Sequence, residues 1–97
     1  MSTEFDTTKI RRLAAQLGRT AASVDQVRQT SLQRAKQEMP SNFKGQAADA
    51  LDTSIMELMG DVRRLSSQIS GISSALYALA RRVDEADAKA AKLIHSN

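Results

Sequence analysis

The side chains that could carry out chemistry are few and far apart in this sequence. Histidine occurs once, as His95 near the end of the chain, and cysteine is absent. Carboxylates at helical spacing occur as the pairs Asp49/Asp52, Glu57/Asp61 and Asp84/Asp87. No histidine or cysteine stands beside these pairs, so they are typical of solvated helix faces and not of metal or acid–base sites. We therefore predict no catalytic residue and no metal site.

Glycine and charge exclude two further classes of site. The glycines at 18, 45, 60 and 71 are isolated, and a phosphate-binding loop needs them clustered after a strand, so we predict no cofactor. The 97 residues carry a net charge of +3, from 14 basic and 11 acidic residues. The basic residues are spread along the chain and mostly lie within four positions of an acid. This distribution favours solvated helix faces, and no nucleic-acid partner is predicted.

The elements that carry these residues are predicted to be two helices. Asp6 can cap a first helix of about residues 7–39, which Pro40 ends because a proline disfavours helical backbone at the residue before it. A turn over about residues 40–44 leads into a second helix of about residues 45–94. The turn is short, so the second helix must fold back beside the first, in a single domain over residues 1–97.

The second helix carries an unbroken heptad repeat. Apolar residues alternate at spacings of three and four from Ala48 to Leu93, which is the pattern of an a/d seam between packed helices. The predicted dimer and core seam consists of Leu51, Ile55, Leu58, Val62, Leu65, Ile69, Ile72 and Leu76. The e positions beside this seam are mixed and often small, being Asp52, Met59, Ser66, Ser73, Ala80, Asp87 and Ile94. A wide stripe without charge at its centre is typical of a four-helix core and not of a two-stranded zipper.

The two helices differ in predicted length. At about 1.5 Å per residue the first helix spans about 50 Å and the second about 75 Å. The end of the second helix therefore extends beyond the first, although its apolar repeat continues there. We expect that another chain covers it, or that it is covered only when a partner docks.

The central turn, Asn42, Phe43, Lys44 and Gly45, places an aromatic residue two positions before a glycine. Two mechanical explanations are open for Gly45. It could let the helices approach closely while Phe43 plugs the end of the core, or it could be a loop glycine before an ordinary helix cap.

This triplet, with Ala48 and Leu51 on the following helix, resembles the Trp-x-Gly motif of the WXG family of small proteins exported by type VII secretion systems. The resemblance covers essentially the whole chain, with Phe43 in place of the usual tryptophan. The family's C-terminal export signature, a tyrosine followed four residues later by an acid, is matched by Asp87 alone, because Val83 stands at the aromatic position.

The resemblance implies an all-α fold, in which an antiparallel hairpin dimerises into a four-helix bundle with itself or with a related chain. It further implies a non-enzymatic protein, made in the cytoplasm and secreted without a cleaved signal peptide, whose partners include a type VII secretion ATPase or a larger effector. The residues assigned to export or partner docking are Leu79, Val83, Asp87 and Leu93.

Two alternatives remain open from the sequence. A membrane-active protein with amphipathic helices is compatible with the pattern, although the apolar faces lack the aromatic residues that favour insertion. A coiled-coil adaptor that binds DNA through its positive charge is less favoured, and predicts binding that weakens strongly with salt.

Overall fold

The computed structural model describes residues 6–95 and confirms the all-α hairpin. Helix α1 spans Thr7–Gln26, a π-helical segment spans Val27–Leu32, α2 spans Gln33–Gln37 and α3 spans Gln46–His95. The molecule is a rod of 80 × 16 × 15 Å. The side chain of His95 lies outside the described part of the structure.

Helix α1 begins where the capping residue predicts. The Asp6 carboxylate accepts a hydrogen bond from the Thr8 amide at 3.0 Å and so satisfies one of the amides that a helix start leaves without a partner. The sequence predicts one continuous first helix, whereas the structure contains a π-helical segment at Val27–Leu32 and ends at Gln37. A π-helix takes more residues per turn, so this segment changes which side of the helix the following residues occupy.

The turn is built by backbone bonds at Pro40 and by the conformation of Gly45. The Phe43 amide donates to the Pro40 carbonyl at 2.9 Å, and the Asp49 amide donates to the Gly45 carbonyl at 3.1 Å. Gly45 has a φ of +98°, and a Cβ at this position would meet nothing within 4 Å. The close-approach explanation of Gly45 is therefore wrong, and the glycine is needed for its left-handed backbone. Phe43 is 40% exposed and does not plug the core.

The two helices meet along a seam of small residues. Ala14, Ala21 and Ala80 are buried, and the buried Ser73 hydroxyl donates to the Ala14 carbonyl at 2.6 Å. One heptad away, the Ser66 hydroxyl donates to the Ala21 carbonyl at 2.8 Å. From the Ser66/Ala21 pair to the Ser73/Ala14 pair, the residue number rises by seven on α3 and falls by seven on α1. A further step of seven residues places Thr7 level with Ala80. The part of α3 after Asp84 therefore extends past the start of α1.

Candidate interaction surface

The hairpin buries only part of the predicted heptad seam of α3. The side of α3 that packs on α1 is formed by the a positions of the heptad, which include Ile55, Val62, Ile69 and Leu76, together with the small e positions. Ile55, Ser73 and Ala80 are buried, and Val62, Ser66, Ile69 and Leu76 are half-buried. The d positions are all exposed. We call this row the outer row; its members are Leu51, Leu58, Leu65, Ile72, Leu79, Ala86 and Leu93.

The exposure of the outer row is large for apolar side chains. Its six leucine and isoleucine residues are between 41% and 68% exposed. An isolated exposed leucine is ordinary on a protein surface, but six large apolar side chains exposed in one row along a helix favour an interaction site. The outer row is therefore the main candidate for a functional surface.

Helix α1 adds to the same side of the hairpin. Leu13 stands one residue before the buried Ala14, just as Ile72 stands one residue before the buried Ser73. A step back of one residue turns the side-chain direction by the same angle on each helix. Because the two helices are antiparallel, this step leads to the same side of the hairpin on both, so Leu13 and Ile72 share a face. Leu13 is 48% exposed, and Val27, the first residue of the π-helical segment, is 47% exposed. The apolar face thus spans both helices.

The opposite side of the hairpin carries an ion pair between the helices. Arg11 donates to the Asp84 carboxylate at 2.5 Å, with both side chains nearly half exposed. The hydrogen bond from Arg11, with a second from Thr7, holds the pKa of Asp84 below its usual value.

A second ionic cluster lies at the junction of α1 with the π-helical segment. The Arg28 guanidinium donates two hydrogen bonds to Asp25, at 2.9 and 3.0 Å, and Gln29 donates a third at 2.7 Å. The hydrogen bond from Arg28 is the main reason that the pKa of Asp25 is lowered, and the same bond raises the pKa of Arg28. The three donors stabilise the ionised carboxylate, and a carboxyl group with a lowered pKa is a weak proton acceptor near neutral pH, so we assign the Asp25 cluster a structural role.

Two observations bear on whether the described residues could bind a metal ion or a small molecule. Within residues 6–94 no three residues among histidine, cysteine, aspartate and glutamate cluster to hold a metal ion. A shallow, open depression on α1 is lined by Gln16, Arg19, Thr20, Ser23, Val24 and Val27. Its lining has one ionisable group and nothing to activate a nucleophile. Across residues 6–95 no helix is long and apolar enough to cross a bilayer.

The predicted docking residues fall into two environments. Leu79 and Leu93 belong to the outer row, at 41% and 68% exposure. Val83 and Asp87 are half-buried and lie beyond the level of Thr7, on the side of α3 that carries the a and e positions. Leu79, Val83 and Asp87 stand four residues apart on α3, and their assignment to export or partner docking stays a prediction.

A family comparison gives this geometry its context. The WXG100 family, described as proteins of 100 residues with WXG, matches residues 2–88. The chain belongs to the WXG100 family. This is the WXG-motif family of type VII secretion substrates, so the resemblance carried by Phe43 and Gly45 is confirmed. No curated protein and no solved structure matches the chain.

The backbone of Gly45 accounts for one part of the motif. The glycine of the motif supplies the positive φ that starts α3, and this function does not depend on the neighbouring aromatic residue. The feature that sequence reasoning missed is the division of the heptad: the e positions pack inside the hairpin while the d positions remain outside. The sequence feature that indicates this division is that small residues occupy the central e positions, while large apolar residues occupy the d positions directly before them.

Proposed function

We propose that this WXG100 protein is a non-enzymatic substrate or partner in type VII secretion that acts by helix packing. The outer row carries the proposal, because it is an apolar face that the hairpin leaves exposed. A second helical hairpin laid on this face, from the same or a related chain, would complete a four-helix bundle. The bundle, and not an active site, would be the functional unit.

The small core of the hairpin supports a need for this partner. Its buried apolar residues are Ala14, Ala21, Ile55 and Ala80, and among the described residues no large side chain is fully buried. Alanine contributes little apolar area, so such a seam offers less stabilisation than a leucine core. Packing of the outer row against a second hairpin would supply the missing burial.

Export is the second part of the proposal. We assign the C-terminal part of α3, with Leu79, Val83, Asp87 and Leu93, to contact with the partner, the export ATPase or an effector. Asp87 matches the acid of the family's export signature. The protein would leave the cell without a cleaved signal peptide.

Secretion by the native host tests the proposal. Ile72→Lys places a charge in the centre of the outer row, while Ser74→Lys adds the same charge at an exposed residue away from that row. We expect the Ile72 variant to lose its partner and to decline in the culture medium, and the Ser74 variant to be exported normally. Equal export of both variants, or unchanged export after inactivation of the type VII ATPase, would contradict the proposal.

A further inference from the structure

A lysine and a methionine join α2 to α3. The Lys36 ammonium group donates a hydrogen bond to the Met56 sulfur at 3.3 Å, and within residues 6–94 no other hydrogen bond runs between these two helices. A thioether sulfur is a weak acceptor, whereas an ammonium group has three donors. Lys36 forms no ion pair with another described residue. Its ammonium group therefore has the capacity to bind a stronger acceptor at the position of this sulfur.

The π-helical segment brings Lys36 to this position. Ala14, Ala21 and Arg28 follow one another at intervals of seven residues on the side of the chain that packs on α3. The same interval would next bring Ala35 to that side, but Ala35 is exposed and Lys36 is half-buried. A π-helical turn inserts one extra residue, which accounts for this shift. Lys36 thus faces α3 because the π-helical segment precedes it.

We propose that Met56 is an oxidation site and that Lys36 binds its sulfoxide. The oxidant is a hydroperoxide such as hydrogen peroxide. A sulfur lone pair forms the S–O bond as the O–O bond breaks, so the sulfur is oxidised by two electrons and the peroxide is reduced to water. The sulfoxide oxygen carries partial negative charge and is a much better acceptor than the thioether. The Lys36 ammonium group, already beside the sulfur, donates to that oxygen in a charge-assisted hydrogen bond.

Met56 is more accessible to an oxidant than the two other methionines that the structure describes. It is 48% exposed, whereas Met39 and Met59 are half-buried. Met56 stands four heptads before Asp84, so it lies on the side of α3 that carries the ion pair with Arg11, away from the outer row. A second hairpin on the outer row would leave Met56 accessible. The inference is therefore independent of secretion and of the partner chain.

Oxidation of Met56 should fasten α2 to α3. Helix α2 has five residues, fewer than the roughly 12 that an isolated helix needs, so it depends on its neighbours for stability. Methionine oxidation commonly disrupts packing, because it places a polar oxygen among apolar side chains. Here the sulfur lies at an exposed contact beside a cation, and the oxygen gains a partner. The expected effect on α2 is thus the reverse of the common one.

Limited treatment with hydrogen peroxide, followed by peptide mass spectrometry, tests the site. We expect Met56 to gain one oxygen atom several times faster than Met39 and Met59, and a methionine sulfoxide reductase to remove it. Met56 and Met59 fall in one tryptic peptide, because no lysine or arginine lies between them, so fragment ions must distinguish them. Oxidation of Met39 or Met59 before Met56 would overturn the assignment of the site.

Hydrogen exchange of the α2 amides tests the contribution of Lys36. After oxidation these amides should exchange roughly two- to fivefold more slowly, for one strengthened contact at an exposed site. Lys36→Gln removes the ammonium group, and oxidation should then give no slowing. Arg34→Gln is the matched control, since it removes a cation from an exposed residue of the same helix and should respond to peroxide as the original protein does. Met56→Leu should not respond, because it lacks the sulfur.

A glutamine at position 56 tests the contact without an oxidant. Its amide oxygen offers Lys36 an acceptor that leucine lacks, so the α2 amides should exchange more slowly in Met56→Gln than in Met56→Leu. This difference should disappear when both proteins also carry Lys36→Gln. Faster exchange of α2 in the oxidised original protein, or equal slowing with and without the Lys36 ammonium group, would overturn the proposal.

Discussion

Replacement of Ser73 by leucine tests whether the hairpin depends on a seam of small residues. Ser73 is 7% exposed, and its hydroxyl lies 2.6 Å from the Ala14 carbonyl of the facing helix. A leucine at this position must place three additional carbon atoms where the helices are already in contact. The helices can accommodate it only by separating, which would also disturb Ala21 and Ala80 along the same seam.

The expected destabilisation can be estimated from these contacts. Overpacking of a close-packed site costs about 1–3 kcal/mol, and loss of the hydroxyl bond about 1 kcal/mol. Leucine regains up to about 0.5 kcal/mol through its better helix propensity. The free energy of unfolding should therefore fall by about 2–3 kcal/mol. For a domain of this size the melting temperature should fall by roughly 10–20 °C.

Thermal unfolding followed by circular dichroism measures this change, at one protein concentration because association shifts the melting temperature. Ser74→Leu is the matched control, since it makes the same substitution at the next, exposed residue and should alter stability by no more than about 0.5 kcal/mol. Ser73→Ala separates volume from hydrogen bonding, because the Ala14 carbonyl keeps its place in the helical ladder. That variant should stay within about 1 kcal/mol of the original protein. Equal melting temperatures for the two leucine variants would refute the close seam.

Other perturbations test the turn, the ion pair and the helix cap. Gly45→Ala should lower the free energy of unfolding by about 1–2 kcal/mol because its φ is +98°, whereas Gly71→Ala, in open helical space, should raise it by up to about 1 kcal/mol; urea unfolding compares the two. The Asp84 carboxylate, whose pKa is lowered by Arg11, stabilises the folded state above the unfolded pKa of about 4, and this contribution is lost as the pH falls through the lower folded value. Melting temperatures measured between about pH 5 and 2 should therefore decline less in Asp84→Asn than in the original protein. Asp6→Ala removes the hydrogen bond to the amide two residues later and should cost about 1 kcal/mol in thermal unfolding, and no loss at all would contradict its capping function.

The sequence predicts the helices because its signals are local. The capping aspartate, the proline that ends the first helical segment and the heptad of α3 each depend on a few neighbouring residues. The family resemblance is also local, since it is carried by Phe43 and Gly45. The π-helical segment at Val27–Leu32 was not predicted, because no breaking residue marks it in the sequence.

The sequence by itself determined that the chain is an all-α hairpin with more apolar surface on α3 than the hairpin can cover. The reason is that a heptad repeat shows which residues form an apolar stripe, and this stripe is longer than the first helix. Only the tertiary structure decided which of them the hairpin buries. The hydroxyl bonds of Ser66 and Ser73 to carbonyls of α1 fix the helices close together through small residues. This close approach turns the outer row, including Ile72, away from the seam and onto the surface that a second chain can bind. A heptad repeat specifies which residues of a helix form an apolar stripe. How far that stripe is rotated towards the neighbouring helix depends on which side chains allow the two helices to approach most closely.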